Sequence, residues 1–522
     1  MLICLMGIAS VLLTGCNVAT ATPPASTPVV IPPTLWVAGY IPREVAQSVV
    51  LPGDWRTSDT AGSATARLEI GDQNIVGRWV YALVAPFPTV IDNVSDQEIK
   101  SAWQGNPSTT FGARLLMDQT TLDVFSAWWG QPGDTMVTVA PADELSSDAW
   151  SDMVSWAIIP FDQIEPHWKV LTINGDSPIH KDFDINSYAL TVPFSLNGSI
   201  LPPLQNASPS SNRDPDKLTT VITTGTTALV RGTAVSMEEN GPGYPAEEIA
   251  SVLQNADITH VSNEVAFWQD CPPPALDENN MIFCSDPRYI QLLVYIGTDV
   301  VELSGDHLDN YGPLAMLQTL KMYKDRGWKY YGGGANLHEG LSPATFTHNG
   351  NKIAFIGCNA KDGSYATASD TFPGAAACGF ATIHAEIQHL KQDGYVVIAT
   401  LQDQEYYQNV VAPEIRPDFT GMVDAGADIV SGSQSHVPQN FEFYKNGFID
   451  YGPGNLFFDQ YNLPGCDQAF IDRHVIYDGK YINTELITIK FVDYARSRFM
   501  SADERSAFLR TMFPVSGWKV RR

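Results

Sequence analysis

Side chains able to do acid–base or metal chemistry recur at one kind of place along this chain, directly after short apolar, strand-forming runs. After DITHVS stand Asn263 and Glu264; after DVVELSG, Asp306 and His307; after VVIATL, Gln402, with Glu405 just beyond. DIVSGSQ ends on Gln434 and leads into Ser435 and His436, and FIDYGPG leads into Asn455, with Asp459 downstream. In open α/β sheets, ligands bind at the loops leaving the carboxyl ends of strands. A lone polar loop residue is usually just solvated; five strand ends that each deliver a group able to accept, donate or ligate point to one shared pocket. Within it, Asp306-His307 places a carboxylate beside an imidazole, the pairing used for proton transfer or metal coordination.

The elements that must position these groups are legible over 218–495, where strand-like runs alternate with helical segments, the pattern of an α/β layered domain. In PLAMLQTLKMYKDRG, Leu314, Leu317 and Leu320 are expected to form one apolar helix face, with Pro313 in the first turn and Gly327 at the C-terminal end. Ile383, Ile387 and Leu390 repeat the pattern before Gly394, and Ser501 with Glu504 predicts a capping box opening a helical extension over 496–522. Residues 35–200 mix short β-rich runs with a helix that Ser95 and Glu98 would cap. A Pro, Ser and Asn-rich stretch, 201–217, reads as a linker between the two regions.

Composition bounds the partners. At 522 residues the chain is long enough for several domains, and its net charge of −27 argues against nucleic acid, whose phosphates are bound by Lys and Arg. Five basic residues, Arg231, Lys321, Lys324, Arg326 and Lys329, are the candidates for a local positive zone. The first residues, MLICLMGIASVLLTGC, resemble a bacterial lipoprotein signal over 1–16, in which Cys16 would be lipidated, although no Lys or Arg precedes the apolar stretch. The Pro/Thr-rich 17–34 then reads as an extended spacer. The expectation is an exported lipoprotein, tethered through its lipid on the outer side of the bacterial cytoplasmic membrane or at the cell surface. Such a compartment permits disulfides, and close spacing favours Cys271–Cys284 and Cys358–Cys378, leaving Cys466 over.

Two resemblances add to this reading. VYALVAPFPTVIDNVSDQEIKSAWQGN and WAIIPFDQIEPHWKVLTINGDSPI resemble the type II periplasmic solute-binding fold, although 35–200 is short for a complete two-lobed binding protein. In the second region, ADITHVSNEVAF, DVVELSGDHLDNYG, GWKYYGGGAN, NGNKIAFIGC and AGADIVSGSQSHVPQNFEFYKNGFIDYGPGNLFFDQ follow one another as in the CapA family of capsule and poly-γ-glutamate biosynthesis proteins. That resemblance implies a layered αββα domain related to calcineurin-like metallophosphoesterases, preceded here by a smaller α/β solute-binding-like domain.

The departures from the family pattern decide what chemistry to expect. Its Asn-Asn-His appears as Gly305-Asp306-His307, and its Gly-His-His-Pro-His as Gly432 to His436, with Gln434 in place of a histidine. Its Gly-Asp at the first strand is Gly225-Thr226, and its His-Trp-Gly-x-Glu-Tyr survives only as Gln402, Glu405 and Tyr406. A two-metal phosphoesterase needs several carboxylates and imidazoles to hold both ions, and about half of that set is gone. Glu264, Asp306, His436 and Asp459 remain as ligands for one divalent ion, Mn, Zn, Mg or Ca, with Asp306 and His307 as the catalytic pair and His307 the hydrogen-bond or proton donor. Asn263, Gln402, Glu405, Gln434 and Asn455 are expected to line the rest of the cleft.

The resemblance implies assistance in the synthesis, export or anchoring of an anionic extracellular polymer, with that polymer or its synthesis and export machinery as partner. A metal-dependent hydrolase of phosphoester or amide bonds is the first alternative. A small-solute-binding lipoprotein is the second.

Overall fold

The strand-like runs of the second region form two sheets packed face to face. In the computed structural model, which describes Gly15 and residues 31–520 apart from 110, 112–113, 207, 278, 362–365, 461–462 and 495, the first of these sheets runs Lys329–Tyr331, Val300–Glu302, Ile258–Asn263, Leu218–Thr224, Gln468–Tyr477, Lys480–Val492, Arg496–Phe499. The first four strands are mutually parallel and the last three antiparallel. The second sheet runs Ala344–His348, Asn351–Asn359, Val396–Gln402, Ile429–Gly432, Gly447–Asp450, Phe441–Tyr444, parallel in its four inner strands. Cys16 and most of the expected spacer lie outside the described residues.

Burial on both faces explains the near-continuous apolar character of these strands. Between the sheets, Val221, Ile258 and Val300 meet Ile353, Phe355, Ile398 and Ile429. Outside the first sheet pack the helices Ile290–Tyr295 and Gly312–Lys324; outside the second, Phe380–Gln392 and Arg416–Ala425. The result is the layered αββα arrangement.

Ile383, Ile387 and Leu390 face inward as expected. The helix Gly312–Lys324 corrects the expected face: it buries Ala315, Met316, Thr319, Leu320 and Tyr323, while Leu314 and Leu317 are exposed. Residues 315, 316, 319, 320 and 323 make a continuous stripe at helical spacing, and Thr319 and Tyr323 belong to it because their hydroxyls have buried partners in Phe267 and Asn263.

The preceding domain is built on a mixed sheet ordered Arg56–Thr57, Thr34–Val37, Ala66–Ile70, Thr191–Gly198, Ile75–Pro86, Ser155–Pro160, Arg114–Met117, Val137–Val139. Its helix Asp96–Trp103 begins with the expected capping box: Ser95 Oγ accepts from Glu98 N, and Glu98 accepts from Ser95 N. The stretch 201–217 is packed along this sheet, with Leu204 bridged to Val49 and the buried Arg213 guanidinium donating to the carbonyls of Pro178 and His180.

Charged and polar contacts join the two domains: Arg505 and Lys169 both grip Asp92, and Asn483 donates to the Trp168 carbonyl. The C-terminal helix Ala502–Val515 opens on the expected Ser501–Glu504 box and buries Phe508, Leu509, Met512 and Phe513. Among the described residues no helix is long and apolar enough to cross a membrane.

Candidate functional site

The parallel strands of both sheets end on the same side of the layered domain, and the loops there converge. Glu264 follows Ile258–Asn263, and Asp306 and His307 follow Val300–Glu302. Those two loops touch through a bridge between Val265 and His307. Gly305 permits the approach: a Cβ there would lie 2.7 Å from Glu264 Cα, which no side chain tolerates. From the second sheet come Gln402, at the end of its strand, and Gln434 and His436, beyond Ile429–Gly432.

Gln402 is the hub. Its Nε2 donates to Asp306 Oδ1 at 3.0 Å, lies 3.3 Å from Glu264 Oε1, and donates to Gln434 Oε1. Three acceptors around one nitrogen fix the amide's orientation, since the flipped group would set oxygen against oxygen. All four side chains are buried. His307, Lys361 and Glu405 are partly exposed and form the solvent face of the cluster.

Lys361 carries no expectation from the sequence, yet its Nζ donates to Asp306 Oδ2 at 2.6 Å. It arrives from a sixth strand end, just beyond Asn351–Asn359. The loop is fastened there: Asn359 Nδ2 donates to the Ser304 carbonyl at 2.7 Å, and Asn359 Oδ1 accepts from Lys361 N at 2.9 Å. The apolar run KIAFIGC signalled the strand; reading one step further, to CNAK, would have found the lysine. Glu302 was missed for a different reason, being the last residue of a buried strand. It accepts from Ser304 and Ser433 and braces the loops from both sheets beneath the cluster.

The electrostatics divide the two carboxyls. Burial, then the neighbouring Asp306 charge, pushes Glu264 well above the usual carboxyl range. Burial also acts to raise Asp306, but His307 and then Lys361 outweigh it and hold Asp306 below that range. Lys361 is raised, because its bond to Asp306 overcomes its own burial. His436 is lowered, chiefly by burial. Its Nδ1 lies 2.8 Å from the Asn455 side-chain amide and its Nε2 3.5 Å from a Glu405 carboxylate oxygen. One pocket therefore offers two carboxyls shifted in opposite directions, a fixed cation and a buried imidazole.

Three of the expected groups, Glu264, Asp306 and His307, present ligand atoms within 4.8 Å of one another, close enough for a metal ion. His436 stands outside that group, although it senses the Asp306 charge.

Asp459 requires a correction. Its Oδ1 accepts from Arg231 Nε at 3.0 Å and its Oδ2 from Gly232 N at 2.8 Å, so a buried guanidinium consumes the carboxylate expected as a ligand. Asn263 also turns inward, donating to the Val265 carbonyl and Tyr323 hydroxyl, and serves the core. The basic zone is spent internally as well: Lys321 pairs with Asp325, Lys324 with Glu339, and Arg231 with Asp459. Both disulfides form as paired by spacing, and Cys466 is free and buried.

The donor set tests poorly as a resident metal centre. Asp306 spends one oxygen on an ammonium and the other on an amide, and the same amide faces Glu264. An N–H group donates and cannot ligate. Gly225-Thr226 supplies no carboxylate; the Thr226 hydroxyl donates to the Ser433 carbonyl. A Cβ at Gly225 would collide with the Gly454 carbonyl, so this strand end is kept for close backbone contact.

Residues 220–460 match the family model described as bacterial capsule synthesis protein PGA_cap. The chain is 25% identical over 280 residues to capsule biosynthesis protein CapA of Bacillus anthracis, covering 53% of this chain and 68% of that protein. It is 26% identical over 191 residues to PGA biosynthesis protein CapA of Bacillus subtilis, covering 36% of this chain and 50% of that one. Among solved structures, a 5'-nucleotidase precursor from Thermus thermophilus aligns with a TM-score of 0.31 at 10% identity, over 57% of this chain and 58% of the other. The matched stretch runs from the first strand of the layered domain to just past Asp459 and contains every strand end that builds the site. Over this stretch the chain is similar to the CapA proteins of capsule and PGA biosynthesis.

Proposed function

We propose that this protein is a surface-tethered accessory in making, exporting or anchoring an anionic extracellular polymer of the capsule or poly-γ-glutamate type. The observation that carries the proposal is the family match spanning all the strand ends that converge on Gln402. Tethering would come from lipid on Cys16 and the spacer that follows. Two disulfides in the layered domain support an oxidising compartment outside the cytoplasm. The polymer or its synthesis and export machinery is the partner, met at the solvent face formed by His307, Lys361 and Glu405. Deleting the gene in its host should lower cell-associated anionic polymer, and the wild-type gene should restore it; unchanged polymer in the deletion strain would contradict this role.

The grouping of Glu264, Asp306 and His307 favours one second reading, a hydrolase using a divalent ion. It requires that ion to take the place of Lys361 on Asp306. Turnover of a generic phosphoester or amide by the metal-supplemented protein, abolished in Asp306→Ala, would establish it.

A further inference from the structure

The chain's own residues say which cation the carboxylate pair holds. Asp306 and Glu264 lie in a buried polar cluster whose donors are one ammonium and one amide. Lys361 is delivered to this place by construction: its backbone N–H is hooked to Asn359, whose side chain is hooked to Ser304, two residues before Asp306. The Cys358–Cys378 disulfide fixes the strand end from which the lysine leaves. Gln402 cannot turn its oxygen toward an ion without facing Glu264, Asp306 and Gln434 with an acceptor.

We infer that Lys361 is the resident cation of this site, its ammonium standing where the clustered carboxylates would otherwise draw a divalent ion, so that the site is complete without metal and becomes a metal site only when that ammonium is removed. The physical reason is exclusion by charge and space. A divalent ion on Asp306 would share a carboxylate with an ammonium already at hydrogen-bond distance, and like charges at such separations repel strongly in a poorly solvated pocket. Taking the lysine away frees the Asp306 oxygen it holds and leaves two carboxyls and an imidazole with ligand atoms within 4.8 Å of one another, a donor set that suits Mn or Zn. This inference stands apart from the polymer role and survives or fails without it.

The test is titration calorimetry of Mn²⁺ and Zn²⁺ into chelator-treated full-length protein, with elemental analysis of the protein as purified. Wild type should carry no stoichiometric metal. Lys361→Gln should gain one site binding at least about ten-fold more tightly than wild type, and adding Asp306→Asn should abolish the gain. Lys361→Met, which keeps the apolar stem, is the second variant should the first fail to fold. Stoichiometric metal in the wild-type protein that is lost in Asp306→Asn would overturn the inference, and so would folded Lys361 variants that bind no more tightly than wild type.

Discussion

Arg231 and Asp459 form a buried ion pair, with 5% and 2% of their side chains exposed, and the guanidinium also lies over the rings of Phe283 and Phe458. Asp459 is thereby a structural anion and not a ligand. Arg231→Ala would strand its carboxylate without a partner in a dry site, which typically costs about 3–5 kcal/mol. Chemical denaturation should show that loss, and Arg231→Met combined with Asp459→Leu should recover much of it, because removing both charges removes the desolvation penalty. An Arg231→Ala protein as stable as wild type would contradict the assignment.

Asp450 and Asp472 form a second buried pair, from facing sheets; Asp450 Oδ1 accepts from Gly452 N, and Asp450 Oδ2 and Asp472 Oδ1 are buried without a hydrogen-bond partner. Burial pushes Asp450 up to about 7, and burial with the Asp450 charge pushes Asp472 well above the usual range. Unfolded carboxyls ionise near pH 4, so the unfolded chain loses protons that the folded protein keeps. Stability from this pair is therefore greatest below about pH 4 and falls as pH rises toward 7. Asp472→Asn should flatten that slope and raise stability at pH 7 by an amount of the order of 1–3 kcal/mol, read from denaturation midpoints across the pH range. A steeper decline in the variant would reverse the assignment.

The disulfides make a third prediction. Cys358–Cys378 spans 20 residues and closes the loop that carries Lys361. Closure of a loop of that length contributes about 3 kcal/mol by chain entropy. Replacing both cysteines by serine should lower the melting temperature, and mass spectrometry of protein alkylated after unfolding should find Cys466 reduced. Quantitative alkylation of Cys358 without reductant would contradict the bond.

Much of this site was legible in the sequence because strand ends advertise themselves: an apolar run stops, and the next polar residue sits at the rim of the sheet. That logic located Glu264, Asp306, His307, Gln402, Gln434 and His436 in one cluster. It failed where a side chain's partner came from far away in the chain. Nothing local to Asp459 reveals an arginine 228 residues earlier, and nothing in Asn263 reveals a tyrosine hydroxyl 60 residues later. Lys361 escaped because a lysine in a loop is read as surface charge until the fold sets it on a buried carboxylate. The exposed Leu314 and Leu317 show a related limit, since hydrophobicity alone cannot choose between two helical stripes when the buried one includes a threonine and a tyrosine.

If the side chains brought together at the carboxyl ends of the two sheets do the protein's work, removing one of them removes its effect on the polymer. The most direct measurement is the amount of cell-associated anionic polymer in a deletion strain expressing Gln402→Leu or Asp306→Ala, with protein levels checked by immunoblot. Neither variant should restore the polymer while present at the wild-type level. Full restoration by both would show that the convergent cluster is idle.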